Sequence, residues 1–170
     1  LFNTYAFFIL YANIDGFAYR EEEVAMEKRQ EIDRWIISLL NSLVKEVDES
    51  LADYEPTKAA RAVQTFVDEH LSNWYVRLSR RRFWKGDYEE DKIAAYQTLY
   101  QCLETLTQLM SPISPFFSDW LFRNLNGVTG RKKEVSVHLT DFPAYNPQLI
   151  NPLLEERMRL AQEISSMVLS

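Results

Sequence analysis

Glycine and proline are scarce, at four and six in 170 residues, and they are unevenly placed. Long stretches carry neither, which works against a many-turned sheet protein and favours helices. The single cysteine, Cys102, excludes an internal disulfide and a cysteine-based zinc site, and it suits a reducing compartment. There is no Gly-rich phosphate loop, no nucleophile elbow and no cluster of metal-ligating residues, so the residues themselves point to no catalytic chemistry. His138 and Cys102 stand alone. Leu1 to Ile14 is strongly apolar but too short to span a bilayer, and it contains Asn3 and Thr4. It also lacks the basic start and small-residue cleavage site of a secretory leader. The chain opens on Leu rather than Met. This stretch reads as the interior of a buried helix in a fragment cut from a longer polypeptide.

What is present supports a core. Hydrophobic residues make up 46% of the chain and aromatic residues 14%, enough for one domain or one domain with an appendage. The net charge is -6, which argues against a protein that coats nucleic acid generally. The charge is polarised along the chain. Residues 15 to 55 hold twelve acids against five bases, and residues 56 to 88 hold seven bases against three acids. Such a protein repels nucleic acid from one face and admits it at another.

Apolar spacing is helical nearly throughout. Ile32, Trp35/Ile36, Leu39/Leu40, Leu43, Val47 and Leu51 recur at three or four, predicting a long amphipathic helix over residues 29–54. Glu55-Pro56-Thr57 breaks it, and Pro56 suits the first turn of the next helix. That helix is predicted to bury Val63, Phe66/Val67, Leu71, Trp74 and Leu78, running to about Arg82 and stopping before Gly86-Asp87. A third runs from about Glu89 to Met110, with Ile93, Tyr96, Leu99/Tyr100, Leu103, Leu106 and Leu109/Met110 inward. Ser111-Pro112-Ile113-Ser114-Pro115 ends it, and Ser114-Pro115 reads as an N-cap with proline at the first helical position. A short aromatic helix over about Pro115 to Leu125 follows, then turn signals at Asn126-Gly127 and Thr129-Gly130. Val135 to Leu139 alternates, as one short extended segment would. Asp141 to Pro152 is loop-like, and Leu153 to Leu169 resumes helical spacing. The predicted architecture is an all-α bundle of four to five helices with two shorter pieces, without internal repeats.

The most informative segment is residues 73–85. Five cations (Arg77, Arg80, Arg81, Arg82, Lys85) and four aromatics (Trp74, Tyr75, Phe83, Trp84) fall within these thirteen positions of an acidic chain. Arginine forks bind phosphate bidentately, and aromatic faces stack on unpaired bases. At helical spacing Asn73, Arg77, Arg80 and Trp84 share one flank, extended by His70, with Trp74 and Leu78 on the core side. One reading is an RNA-facing edge on which Trp84 or His70 stacks. The other is a solvated helix C-terminus, favoured by the helix dipole and paired with Asp87, Glu89, Glu90 and Asp91. Arg131-Lys132-Lys133 reads as a solvated basic turn. Phe116, Phe117, Trp120 and Phe122 read as core, and Phe2, Tyr5, Phe7, Phe8 and Tyr11 as packed within a bundle or against a neighbouring domain.

Residues 71–84, Leu-Ser-Asn-Trp-Tyr-Val-Arg-Leu-Ser-Arg-Arg-Arg-Phe-Trp, closely resemble a signature of the isoleucyl-tRNA synthetases, in the helical anticodon-binding domain of class Ia enzymes. Asn3-Thr4-Tyr5 through Tyr11-Ala12-Asn13-Ile14-Asp15 resembles the first helix of that domain, and Asp33-Arg34-Trp35-Ile36 the start of its second. Met110-Ser111-Pro112-Ile113-Ser114-Pro115-Phe116 resembles the family's proline break. Ser136-Val137-His138-Leu139-Thr140-Asp141-Phe142-Pro143 resembles the segment after the bundle. The resemblance runs the length of the chain in order. Valyl enzymes typically carry an acidic Asp-Trp-Tyr-Ile-Glu where this chain has Asn73 to Arg77. The family often has arginine at the place of Leu78.

This resemblance implies a class Ia anticodon-binding bundle over residues 1–145, with residues 146–170 starting the following helical C-terminal segment. It implies a module that binds the anticodon arm of isoleucine tRNA and belongs beside the catalytic domain of a cytoplasmic isoleucine–tRNA ligase. The site residues it nominates for RNA are Asn73, Arg77, Arg80, Arg81 and Trp84, with no metal. The two class I catalytic signatures, His-Ile-Gly-His and Lys-Met-Ser-Lys-Ser, are not in the chain. ATP and Mg are therefore expected in the parent's catalytic domain, and this segment by itself should be inactive. No membrane partner is expected. The alternative is a helical module in which the arginine-rich end docks protein, without direct RNA contact.

Overall fold

Long apolar stretches free of glycine become long helices, and one of them sits at the centre. The computed structural model describes residues 1–85 and 87–169. Helix α5, Glu90–Met110, is buried on almost every side and packs on the other long helices. They are α1 (Phe2–Asp15), α2 (Glu31–Ala52), α3 (Pro56–Thr65), α4 (Arg77–Trp84) and α6 (Pro115–Thr129). A last helix, α7 (Pro152–Leu169), rests against α2. Between α3 and α4 the chain stays helical but takes the wider π form over Phe66–Val76. With Pro56 to Trp84 taken as one rod, six helices are present among the described residues, one above the expected range.

The predicted boundaries of the long helices agree with those observed, and Pro56 and Pro115 each occupy a first helical turn. Gly16 ends α1 at φ 71°, and the Phe17 amide reaches back to the Ala12 carbonyl at 2.9 Å. This left-handed cap is one that glycine adopts without strain. The expected stop at Gly86 lies outside the described residues.

Two local predictions fail. Asn126-Gly127 is not a turn: α6 continues to Thr129, and the left-handed Gly130, at φ 61°, ends it instead. Val135 to Leu139 is not extended: Val137–Leu139 is a 3-10 turn. The reason is local. Asp119 accepts from Ser136 Oγ at 2.5 Å and from the Val137 amide at 3.1 Å, and Ser136 Oγ accepts from the His138 amide at 3.3 Å. With these bonds closing the chain on itself, alternating side chains have no ladder to join.

Polar locks orient the helices around α5. Asp33, at 0% exposure, accepts a hydrogen bond from the Tyr75 hydroxyl at 2.7 Å. It also takes both ends of the Arg82 fork, at 2.8 and 2.7 Å. Arg82 continues to Asp91 on α5, at 2.9 and 3.0 Å. One guanidinium thus ties α2, α4 and α5 together. A second lock joins α1 to α5: Asp15 faces Lys92 Nζ at 2.7 Å and accepts from the Tyr96 hydroxyl at 2.6 Å. Arg29, buried, donates to the Val24 carbonyl at 2.9 Å and to Thr98 at 3.0 Å, and so pins the connection before α2 onto α5.

Removing one partner of a buried ion pair leaves the other charged and unsolvated. Asp33→Ala is therefore expected to cost about 3–5 kcal/mol in guanidinium unfolding. The apolar pair replacement Asp33→Leu with Arg82→Met is expected to recover a large part of that loss, because neither charge is then stranded. A double variant as unstable as the sum of its parts would contradict the lock.

The tyrosines make a second expectation. Burial, reinforced by neighbouring carboxylates, holds the hydroxyls of Tyr75 and Tyr96 well above their ordinary range. Burial does the same at Tyr100. The unfolded chain loses these protons near the ordinary tyrosine pKa of about 10, while the folded chain keeps them. The folded state then binds more protons, so stability is intact below about pH 10 and falls as pH rises above it. Spectrophotometric titration should show part of the nine tyrosines ionising only as the helical signal is lost. A smooth titration of all nine with the helices intact would refute this.

Candidate nucleic-acid interface

The wider π turns decide which side chains face outward. In an α-helix each residue advances about 100°. In the π form the bonds run to the fifth residue, each residue advances less, and positions four apart stay in line. Val67, Leu71 and Tyr75 accordingly share the buried face, and α4 continues it with Ser79 and Phe83. Val63, Phe66, Val67 and Leu71 face inward as predicted, and only the end of the predicted face, Trp74 and Leu78, departs. Trp74 is only partly buried, and Leu78 is 55% exposed, on the outside beside Arg77 and Arg81. The inward places belong to Tyr75 and Phe83 because the Asp33 lock holds Tyr75 inside, while Phe83 packs edge-on against Tyr96 at 5.0 Å.

On the opposite side the nominated residues are all exposed: Asn73, Arg77, Arg80, Arg81 and Trp84. Arg77, Arg80, Arg81 and Trp84 stand at i, i+3, i+4 and i+7, which makes one stripe of α4. Asn73 precedes Arg77 by four residues within the π stretch. Of the five cations in the run, Arg82 alone is turned inward, held by Asp33 and Asp91. Burial works against its charge, but the Asp33 carboxylate overcompensates and raises its pKa further.

The solvated-end reading required acidic partners for the stripe. Two of the four nearby acids are engaged elsewhere, Asp91 by Arg82 and Glu90 by Lys28 at 2.9 Å, and among the described residues Asp87 and Glu89 form no ion pair with the stripe. Among the described residues, the side chains of Arg77 and Arg81 make no ion pair or hydrogen bond. Arg80 lies 5.9 Å from the centre of the Phe7 ring, and Lys85 Nζ lies 5.5 Å from that of Trp84, whose side is 58% exposed. A row of unneutralised guanidinium forks beside an open indole is suited to phosphates and an unpaired base.

Other expected contacts fall elsewhere. His70 is not free to stack: it packs edge-on against Trp35 at 6.0 Å. Burial lowers its pKa. Arg131 lies over the Tyr19 ring at 3.9 Å, and both the amide and the carbonyl of Lys132 bond the Asn126 side chain, so the basic turn is partly structural. Phe122 is buried and Phe117 packs against the hydrophobic core, as predicted, but Phe116 is 91% exposed and Trp120 is half-exposed. The inward stripe of α6 is Ser118, Leu121, Phe122 and Leu125, which leaves Phe116 on the other side of the first turn. Burial pushes the Cys102 thiol up, consistent with an inert core residue.

The lock behind the stripe was missed in the sequence. Its signal is Asp33, in phase with Ile36, Ile37 and Leu40, a carboxylate on an apolar stripe that requires a buried partner. A cleft of about 710 Å³ lies between α2 and α3, lined by Leu39, Glu46, Tyr54, Arg61 and His70. Among the described residues no three His, Cys, Asp or Glu side chains come together as a metal site. Nor is any described helix long and apolar enough to cross a membrane.

Comparison with known proteins agrees with the geometry. The family described as "Anticodon-binding domain of tRNA ligase" matches residues 33–170. The isoleucine–tRNA ligase of Bacteroides fragilis is 58% identical over the whole chain, which covers 15% of that protein. That of Porphyromonas gingivalis is 58% identical over the whole chain, covering 14%. That of Clostridium tetani is 42% identical over 164 residues, covering 16%. The chain thus spans about one seventh of the length of these relatives. With the match extending over most of its length and an arginine stripe left unpaired on its surface, the chain belongs to the family of anticodon-binding domains of tRNA ligases.

Proposed function

We propose that this bundle binds the anticodon arm of isoleucine tRNA and thereby positions that tRNA for aminoacylation elsewhere in an isoleucine–tRNA ligase. The observation that carries the reading is the stripe on α4, where Arg77 and Arg81 are exposed and unpaired on an otherwise acidic protein. Similarity to isoleucine–tRNA ligases along the whole chain supports the choice of tRNA. Arg77, Arg80 and Arg81 engage phosphates or base edges, while Trp84 and Asn73 meet unpaired bases. Leu78 adds an apolar contact between the arginines.

Capture is electrostatic. The acidic segment at residues 15–55 disfavours RNA on its own side, and the stripe attracts it. Discrimination then falls to stacking and to base-edge hydrogen bonds in a single-stranded loop. ATP and Mg belong to the catalytic part of the parent enzyme, and the cytoplasm is its place of action. Residues 146–170 begin the segment that follows the bundle. It is anchored on α2 where Glu155 accepts from Ser38 and Ser42.

The test is a titration of the protein against two anticodon stem-loops, one with an isoleucine anticodon and one with an unrelated anticodon. The isoleucine loop should bind more tightly. With three arginines on phosphates, the log–log salt slope should be about -2, and each arginine-to-alanine change should flatten it by about 0.7. A salt-independent affinity would end the electrostatic reading. Arg77→Ala and Arg80→Ala variants that bind RNA normally but melt earlier would move the stripe to a protein-docking role.

A further inference from the structure

The cleft of about 710 Å³ between α2 and α3 lies apart from the arginine stripe, and none of Arg77, Arg80, Arg81 or Trp84 lines it. Sites of roughly 300–1,000 Å³ hold small molecules. Its floor is apolar: Leu43 and Phe66 are buried, Leu39 and Ala62 half-buried. Its walls carry unlike charges, Glu46 on α2 and Arg61 on α3, both exposed. The charges beside them pair locally, Lys45 with Glu49 and Lys58 with Glu55. Glu46 and Arg61 do not. Neither has an opposite charge three or four residues away on its helix, and each has a like charge there, Glu49 and Lys58. Among the described residues neither side chain makes an ion pair or hydrogen bond, with the other or with any third group. At one end of the cleft His70 buries its Nδ1 without a hydrogen-bond partner, which a folded protein tolerates only at a cost. At the other end Tyr54 holds φ at 59°, a left-handed value unusual for a bulky side chain, with its ring 92% exposed. Strained residues of this kind gather at ligand clamps.

We propose that this cleft binds a short apolar peptide with both termini free, about two to three residues long. Its carboxylate meets Arg61, its ammonium meets Glu46, its side chains lie on the floor, and one of its amides donates to His70 Nδ1. The unlike walls choose a zwitterion. A simple anion would be repelled by Glu46 and a simple cation by Arg61, whereas a molecule with both charges satisfies both walls. The spacing chooses a peptide over a single amino acid. Packed helix axes lie about 8–10 Å apart, and an extended chain advances about 3.3–3.6 Å per residue. The floor of Leu39, Leu43, Ala62 and Phe66 chooses apolar side chains. Burial lowers the His70 pKa, so the imidazole is neutral, and with its proton on Nε2 it offers Nδ1 as the acceptor. The Tyr54 ring stands at the open end, where it covers the apolar body. None of these residues belongs to the stripe, so the inference stands apart from the RNA reading.

The test titrates the isotopically labelled protein with leucyl-leucine and follows the backbone amide signals. Saturable binding is expected, with the largest shifts at residues lining the cleft. Acetylating the amino terminus of the peptide, or amidating its carboxyl terminus, should each weaken binding about tenfold, the worth of one charge-assisted hydrogen bond. Glycyl-glycine, which has both charges but no apolar body, should not bind. Glu46→Gln should weaken leucyl-leucine about tenfold and leave the acetylated peptide unchanged, because the ammonium it serves is already gone. Arg61→Gln should do the same for the amidated peptide. Both positions are exposed, so the helical signal of each variant should match the parent. No saturable binding at millimolar peptide would overturn the proposal. So would equal affinity for free and capped peptides, sensitivity to one cap only, or shifts centred outside the cleft. Displacement of the peptide by an anticodon stem-loop would assign the cleft to RNA and overturn it equally; the expected result is that peptide and stem-loop bind without competing.

Discussion

One buried carboxylate sets the orientation on which the surface depends. Asp33 has no exposure, and an ionised carboxylate in that setting is tolerated only when paired and hydrogen-bonded. Its partners come from two stretches of one rod, Tyr75 in the π turns and Arg82 on α4. Seven residues apart, these two must face inward together. That requirement fixes the rotation of α4 about its axis, and with it which arginines point outward. The exposed ion pairs of the protein, such as Lys28–Glu90 and Lys45–Glu49, are each worth at most about 1 kcal/mol. Breaking the Asp33 pair costs several times that. The rotation is therefore set from inside, not by surface charge.

The same lock explains why the stripe is electropositive on a protein of net charge -6. The acidic residues after α4 would ordinarily fold back onto its arginines. Here Arg82 captures Asp91 on its way to Asp33, and Glu90 turns to Lys28. Among the described residues, the Arg77 and Arg81 side chains are left without a hydrogen-bonded or ionic partner. A free guanidinium retains all its donors for a ligand, whereas a paired one must first give up its partner. The cation that is buried thus keeps its neighbours available.

Much of this was legible in the sequence, and the parts that were not have identifiable causes. The breaks at Pro56 and at Ser114-Pro115 were readable because proline fixes φ and lacks an amide donor. The stripes of α2 and α5 were readable because they keep the helical period throughout. The run of arginines was readable as a site by composition, and its outward members are those nominated. The inward turn of Arg82 and the exposure of Leu78 were not, because a period of 3.6 was carried through residues that take the π form. Apolar periodicity favours Trp74 and Leu78 inside; the polar requirement of Asp33 favours Tyr75 and Arg82, and it wins because an unpaired buried charge costs more than an exposed leucine. The 3-10 turn at Val137 was hidden for a related reason: Asp119, eighteen residues earlier, holds it.

Helix α1 connects the stripe to the rest of the molecule. Phe7 meets Phe83 edge-on at 5.2 Å, and Phe83 meets Tyr96 at 5.0 Å. Phe7 also lies under Arg80, at 5.9 Å from its guanidinium. Aromatic contacts of this kind are close-packed and do not slide, because any shift opens a gap that forfeits dispersion on both sides. At its far end α1 is tied to α5 through Asp15, Lys92 and Tyr96. The helix is therefore rigid against both α4 and α5, and the arginines keep a fixed relation to the core. Phe7 makes this contact from the inner side of α1, where the side chains are aromatic and interlocked.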